Sequence, residues 1–177
     1  MRLYVARHGQ TLWNAQRRVC GSTDLPLTQE GLAQAEALAR RVRELKIDRI
    51  LVSPLTRARQ TAAAVEAATG LTAVVEPRLR EQDFGQREGV DWGDEEFLRN
   101  KRNLSQRHPD GESTFDVVAR VYGLLDELAA NAQPEEGLLL VCHGCVARAI
   151  RSYFESLTEE EYLAFSLENA QLMEYRL

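Results

Sequence analysis

Apolar residues along this chain fall into short continuous runs separated by longer stretches with a helical period. Leu3–Ala6 is one such run and predicts a brief buried strand. TQEGLAQAEALARRVREL then sets Leu32, Ala35, Leu38, Ala39, Val42 and Leu45 on one helical face. DRILVSP (48–54) predicts the next strand. Ser53-Pro54 reads as the N-cap and first position of a helix through LTRARQTAAAVEAATG, ending at Gly70. TAVVEP (72–77) predicts a third strand. Ser113 and Asp116 form a capping pattern for a helix reaching about Asn131. GLLLVCH (137–143) is a further buried strand, with VARAIRSYFESL helical behind it. Thr158 and Glu161 repeat the capping pattern, and AQLMEYRL (170–177) closes as a strand.

Strand and helix signals therefore alternate. This predicts an α/β protein, a three-layer α/β/α sandwich with a mostly parallel sheet and helices on both faces. A chain of 177 residues without repeats or linkers reads as one domain, 1–177. The stretch 82–112 fits least well, being polar, glycine-spotted and rich in Arg87, Arg99, Lys101, Arg102 and Arg107. It reads as a lid-like insertion, with a solvated surface excursion as the plainer alternative.

Charge narrows the partners. A net charge of −5 speaks against nucleic acid or an anionic membrane, so the site for any anionic ligand must be locally positive. The N-terminus has no apolar signal region and no long apolar run occurs, so a soluble, cytoplasmic protein is expected. Cys20, Cys142 and Cys145 make no disulfide framework. Cys142 and Cys145 form a CxxC, but no second pair accompanies it and Cys142 ends an apolar strand, which weakens a redox or zinc reading.

The candidate chemistry lies at strand ends. Arg7, His8 and Gly9 follow the first strand, and Arg57 sits in the first turn after the second. Glu81 follows the third, and His143-Gly144 ends the apolar run 137–142. In open α/β sheets ligands bind at the carboxyl edge, where one crevice would gather all of these. Arginine offers a planar fork of donors matched to phosphate. A neutral imidazole attacks phosphorus, and a carboxylic acid protonates the leaving oxygen. The competing account, a metallophosphatase, needs a ligand cluster. His108 and the carboxylates Asp24, Asp83, Asp91 and Asp94 form no recognisable ligand pattern.

ARHGQTLWN, GSTDLPLTQEGLAQA, SPLTRARQTA, LREQDFGQREG, PDGES and VCHGCVARAI occur in the order found in the histidine phosphatase superfamily, the phosphoglycerate mutase-like proteins. The resemblance spans nearly the whole chain. It implies that His8 is the phosphorylated nucleophile, that Arg7, Arg57 and His143 bind the transferring phosphoryl group, and that Glu81 is the proton donor. It further implies that Asn14, Thr11 and Gly21 line the phosphate and substrate pocket and that the Gly144 backbone is a donor. Cys145 departs from the usual second glycine after the late His-Gly, and Gln10 replaces a common glutamate.

The same phosphohistidine serves a phosphatase or a mutase. The resembling cofactor-dependent mutases are longer chains with a larger insertion and tail, which favours hydrolysis here. The expected protein is thus a phosphomonoester phosphatase needing neither metal nor cofactor. Its length and its PDGES stretch most resemble α-ribazole-5'-phosphate phosphatases. The alternatives are a phosphoglycerate mutase and, more remotely, a non-catalytic phospholigand-binding module. The expected partner is a small phosphomonoester; a homodimer through a sheet edge or the helix after Gly144 is left open.

Overall fold

The computed structural model describes residues 1–177. A five-stranded sheet runs in the order β3-β2-β4-β1-β5. Its strands are β1 (Arg2–Arg7), β2 (Arg49–Val52), β3 (Ala73–Val75), β4 (Gly137–Cys142) and β5 (Leu172–Arg176). All pairs are parallel except the one between β1 and β5. The α/β expectation is met, with a single antiparallel edge strand.

β4 shows why the sheet needs covering on both sides. All six of its residues are buried. Leu138, Leu140 and Cys142 pack on one face with Val121, Leu125, Val146 and Ile150. Leu139 and Val141 pack on the other with Leu38, Val42, Ala58 and Val65. One face is thus covered by α5 (Thr114–Ala130) and α6 (Gly144–Phe154), the other by α2 (Gln29–Arg43) and α3 (Thr56–Thr69). Each fully buried aliphatic side chain contributes about 1.5–3 kcal/mol. No helix is long and apolar enough to cross a membrane.

The chain leaves β1 toward β2 through α2 and leaves β4 toward β5 through α6, on opposite faces and in opposite directions. Adjacent β1 and β4, with Arg7 opposite Cys142, therefore diverge at their carboxyl ends. That divergence opens the crevice where α/β sheets bind ligands.

Three local expectations are corrected. Ser53 is not the N-cap of α3. Leu55 stands there without a side-chain bond, and Asp24 reaches in from a distant loop to accept from Thr56 N and Oγ1, both at 2.7 Å. Leu32 is 38% exposed rather than on the buried face, because α2 approaches the Gly9 loop through Gly31. A Cβ on either glycine would run into the backbone of the other segment. Predicted strand 72–77 shrinks to Ala73–Val75, since β3 is an edge paired only with β2.

The stretch 82–112 contains α4 (Glu95–Arg102), N-capped by Asp94, and a 3-10 turn at Gly85–Arg87. Its Phe84 and Phe97 form a small apolar cluster with Val19 of the N-terminal loop. His108 is buried there, stacked on Phe97 at 5.9 Å between ring centroids. The remaining α-helices are α1 (Leu12–Ala15) and α7 (Glu159–Ala164), which begin with the capping boxes of Thr11 and Thr158.

Candidate active site

His8 sits at the diverging ends of β1 and β4, 3% exposed. Its Nδ1 lies 2.6 Å from Gly9 O. A carbonyl only accepts, so Nδ1 carries the hydrogen and the Nε2 lone pair stays free to accept or attack. Arg57 Nε donates to that Nε2 at 3.3 Å. The His8 carbonyl accepts from Asn169 Nδ2 at 2.9 Å, and Gly9 N donates to Thr61 Oγ1 at 3.0 Å. Burial, then Arg57 and Arg7, hold the His8 imidazole well below its ordinary pKa. It is neutral at physiological pH.

Arg57 is fully buried in the first turns of α3 without a carboxylate partner. Its Nη1 donates to Thr23 O at 2.9 Å and its Nη2 to Gly21 O at 2.7 Å. Those carbonyls belong to a loop held in turn by Glu88, which accepts from Gly21 N, Ser22 N and Thr23 N. Gly21 must be glycine, because a Cβ would collide with Gln82 O, Glu88 and Phe84.

His143 caps α6 and is fully buried, its ring 5.0 Å from that of His8. Its Nε2 lies 2.6 Å from Ser53 Oγ. Leu55 N donates to the same Oγ at 3.3 Å, so the Ser53 hydroxyl hydrogen is free to point at Nε2. With the hydroxyl donating to Nε2, the His143 proton sits on Nδ1, which has no partner in the protein. An unpaired buried N–H beside His8 is a donor aimed at a ligand. Burial, then Arg57, His8 and Arg7, also hold His143 well below its ordinary pKa.

Arg7 donates from Nη1 to Leu167 O at 2.7 Å, while its Nε is buried and unpaired. Glu81 is 6% exposed. It accepts from Gln82 N at 3.0 Å and from Cys145 N at 3.2 and 3.1 Å, one bond to each oxygen. Cys145 Sγ faces this buried environment, and burial pushes its thiol up to about 12. The carboxylate and the Arg7 guanidinium flank Gly144, 3.7 and 3.9 Å from where a Cβ would stand.

A cavity of about 280 Å³ opens beside these groups. Arg7, Asn14, Glu81 and Gly144 line it; His8, Arg57 and His143 are buried and do not. Thr11 and Gly21 do not line it. Thr11 is fully buried and caps α1, its N donating to Asn14 Oδ1 and its Oγ1 accepting from Asn14 N, and Gly21 anchors Arg57. Sequence reading missed Ser53, Thr61, Glu88 and Asn169, each of which fixes a nominated residue from another part of the chain. Of the cavity wall it missed Arg18 and Arg148 but had named Lys101, in the lid-like insertion 82–112. Arg148 had a legible signal, one helical turn beyond Gly144.

No three His, Cys, Asp or Glu side chains group as metal ligands would. Asp24 caps α3, Asp83 accepts from Ser22 Oγ and Gly85 N, Asp91 from Gly93 N, and Asp94 caps α4. The thiols of Cys142 and Cys145 are free.

The family model described as the histidine phosphatase superfamily (branch 1) matches residues 3–177. The chain belongs to that superfamily. Among its histidine phosphatase relatives, a Yersinia pestis protein named "Probable phosphoglycerate mutase GpmB" is 37% identical over 182 residues, covering 97% of this chain and 83% of its own. A solved mycobacterial glucosyl-3-phosphoglycerate phosphatase superposes with a TM-score of 0.86 at 30% identity, over 98% of this chain and 88% of that one. A structure described as "a putative alpha-ribazole-5'-P phosphatase from Escherichia coli" also gives a TM-score of 0.86, at 25% identity, covering 98% of this chain and 89% of that one.

Proposed function

We propose that this histidine phosphatase hydrolyses small phosphomonoesters through a phosphohistidine on His8. One observation carries the reading: Gly9 O fixes the His8 proton on Nδ1, leaving a neutral Nε2 lone pair beside the fully buried Arg57 and the partly exposed Arg7. A buried neutral nucleophile among cations suits attack on a dianion.

In the first half-reaction the Nε2 lone pair forms a bond to phosphorus as the phosphorus–oxygen ester bond breaks. The leaving oxygen takes a proton from the Glu81 carboxyl. Arg7, Arg57, the His143 Nδ1–H and the Gly144 backbone N–H stabilise charge spread over the equatorial oxygens. In the second half, the Glu81 carboxylate takes a proton from water, the water oxygen bonds to phosphorus, and the phosphorus–nitrogen bond breaks. Phosphate leaves, and both residues return to their starting states. The scheme calls on neither metal nor cofactor.

The mutase reading is favoured by the name of the Yersinia relative at 37% identity. It differs only in the acceptor, a second hydroxyl of the substrate in place of water. Hydrolysis is supported by the phosphatase among the superposed structures. An α-ribazole 5'-phosphate substrate is supported by the aromatic wall of Phe84, Trp92 and Phe97 and by the E. coli structure.

The test is phosphate release, in excess chelator, from α-ribazole 5'-phosphate, glucosyl-3-phosphoglycerate, 3-phosphoglycerate, phosphoserine and sugar phosphates. Rapid release that His8→Ala abolishes is expected. Isomerised phosphoglycerate without free phosphate would make the protein a mutase. Full activity in His8→Ala would remove the covalent mechanism.

A further inference from the structure

Glu81 is placed by the backbone around it. Its carboxylate accepts only main-chain hydrogens, from Gln82 N and Cys145 N, and no side chain donates to it. A glutamate on a loop keeps its direction only while that loop is held. Here the loop lies between the 3-10 turn Pro77–Leu79 and the stretch 82–112.

The PDGES stretch (109–113) supplies the hold through Glu112. Glu112 Oε1 accepts from Arg80 Nη2 at 2.6 Å and Arg120 Nε at 3.2 Å. Its Oε2 accepts from Asp83 N at 3.1 Å and Arg120 Nη2 at 3.2 Å. Its main chain adds two more bonds, N donating to Asp83 O at 2.8 Å and O accepting from Gln82 Nε2 at 3.2 Å. Arg120, on α5, then reaches Glu81 itself. Its Nη2 donates to Glu81 O at 3.3 Å and its Nη1 to Arg78 O at 2.6 Å. Leu79, fully buried in the cluster with Val117 and Val121 of α5, seats the same loop on that helix.

The Glu112 and Arg120 side chains are only 14% and 11% exposed. A pair forked through two nitrogens and two oxygens, largely out of water, holds a geometry that exposed pairs do not. Arg80, Gln82, Asp83 and the carbonyl of Glu81 all end on one of the two, yet neither lines the cavity. We infer that Glu112 and Arg120 are positioning residues, which fix the backbone at Glu81 and through it aim the carboxyl into the cavity. Their effect on rate rests on the phosphatase reading, in which Glu81 is the acid. Displacing a reacting group by about 1 Å costs on the order of 10²-fold, and here the loss falls on leaving groups that need the proton.

The test pairs phenyl phosphate with 4-nitrophenyl phosphate, similar in shape, of which the first has the leaving oxygen more in need of a proton. Glu112→Gln keeps the size of the side chain and breaks the fork to Arg120. In the full-length chain it should slow phenyl phosphate about tenfold and 4-nitrophenyl phosphate less than about twofold. Arg120→Lys should show the same selectivity to a smaller degree, and it carries the test if Glu112→Gln does not fold. A merely structural pair would slow both esters equally, and that result would overturn the inference. Added to Glu81→Gln, Glu112→Gln should slow phenyl phosphate no further; a second full loss would also overturn it. The Cys145 amide proton, which donates to both Glu81 oxygens, reports the carboxylate without turnover. In the isotope-labelled protein its resonance should move upfield in Glu112→Gln. An unmoved resonance would overturn the inference even if the protein released no phosphate. A moved resonance, with both esters slowed equally by Glu81→Gln, would remove Glu81 as the acid and leave the bracing of its carboxylate standing.

Discussion

Lowering the pH from 7.5 to 5.5 should cost this fold stability through two histidines, at most about 2.7 kcal/mol. His8 and His143 are 3% and 0% exposed, and burial is the first cause of both lowered pKa values, with Arg57 the next. In the unfolded chain each titrates near 6.5. Below that pH the unfolded state binds protons that the native state refuses, so stability falls as pH falls. Integrated over this interval, each histidine contributes at most about 1.4 kcal/mol, the limit in which the native imidazole takes up no proton. The loss is a large part of the roughly 5–15 kcal/mol typical of a domain. Glu76, Asp116 and Glu161, whose pKa values are lowered by hydrogen bonds, act in the opposite protonation sense. Their stabilisation is present above the ordinary carboxylate pKa and is lost only below about 4.5, outside this window. His108, lowered by burial and then Arg87, adds to the same fall. Urea melts at pH 7.5, 6.5 and 5.5 measure the loss, and His143→Gln should remove about half of it. Stability flat to within about 0.5 kcal/mol would refute native-state neutrality at pH 5.5.

Three substitutions probe the site further. Glu81→Gln keeps an acceptor for Gln82 N and Cys145 N but removes the proton. Turnover of alkyl phosphates should fall about 10²–10⁴-fold, and that of 4-nitrophenyl phosphate far less; equal losses on both would exclude Glu81 as the acid. Ser53→Ala strips His143 Nε2 of its 2.6 Å partner. It should cost about 1–3 kcal/mol in urea melts and lower kcat at least tenfold as the tautomer is released; a wild-type kcat would remove Ser53 as the positioning group. Gly21→Ala forces a methyl into Gln82, Glu88 and Phe84, and melts should show a loss of about 1–3 kcal/mol. KM should rise as Gly21 O shifts away from Arg57.

The sheet and the helices above it were legible because each rests on a local pattern. Apolar runs gave the strands, and the Ser113 and Thr158 boxes gave helix starts that the structure reproduces. The failures share one cause, the recruitment of a local signal by a distant partner. Ser53 has the composition of an N-cap, but a hydrogen bond to His143, 90 residues away, takes its hydroxyl. The vacated role passes to Asp24, 32 residues away from Thr56. The basic residues of 82–112 divide on the same principle. Arg87 pairs with Glu96 and Arg107 with Asp116, while Lys101 turns into the cavity. Spacing alone does not separate these outcomes, because the acceptors lie on other elements.

The site itself follows from where the chain reverses direction. β1 and β4 are neighbours in register, yet their helices depart to opposite faces, so the residues following each strand have no sheet to continue into. His8 and His143 occupy those positions, and their rings meet at 5.0 Å. Packing on both faces excludes water there and keeps both imidazoles neutral. The same burial makes any unpaired polar atom costly, and two nitrogens at this meeting point have no partner in the protein, Arg7 Nε and His143 Nδ1. The oxygens of one tetrahedral oxyanion meet both. The fold thus stores, as unmet donor capacity, a description of the ligand it is built to hold.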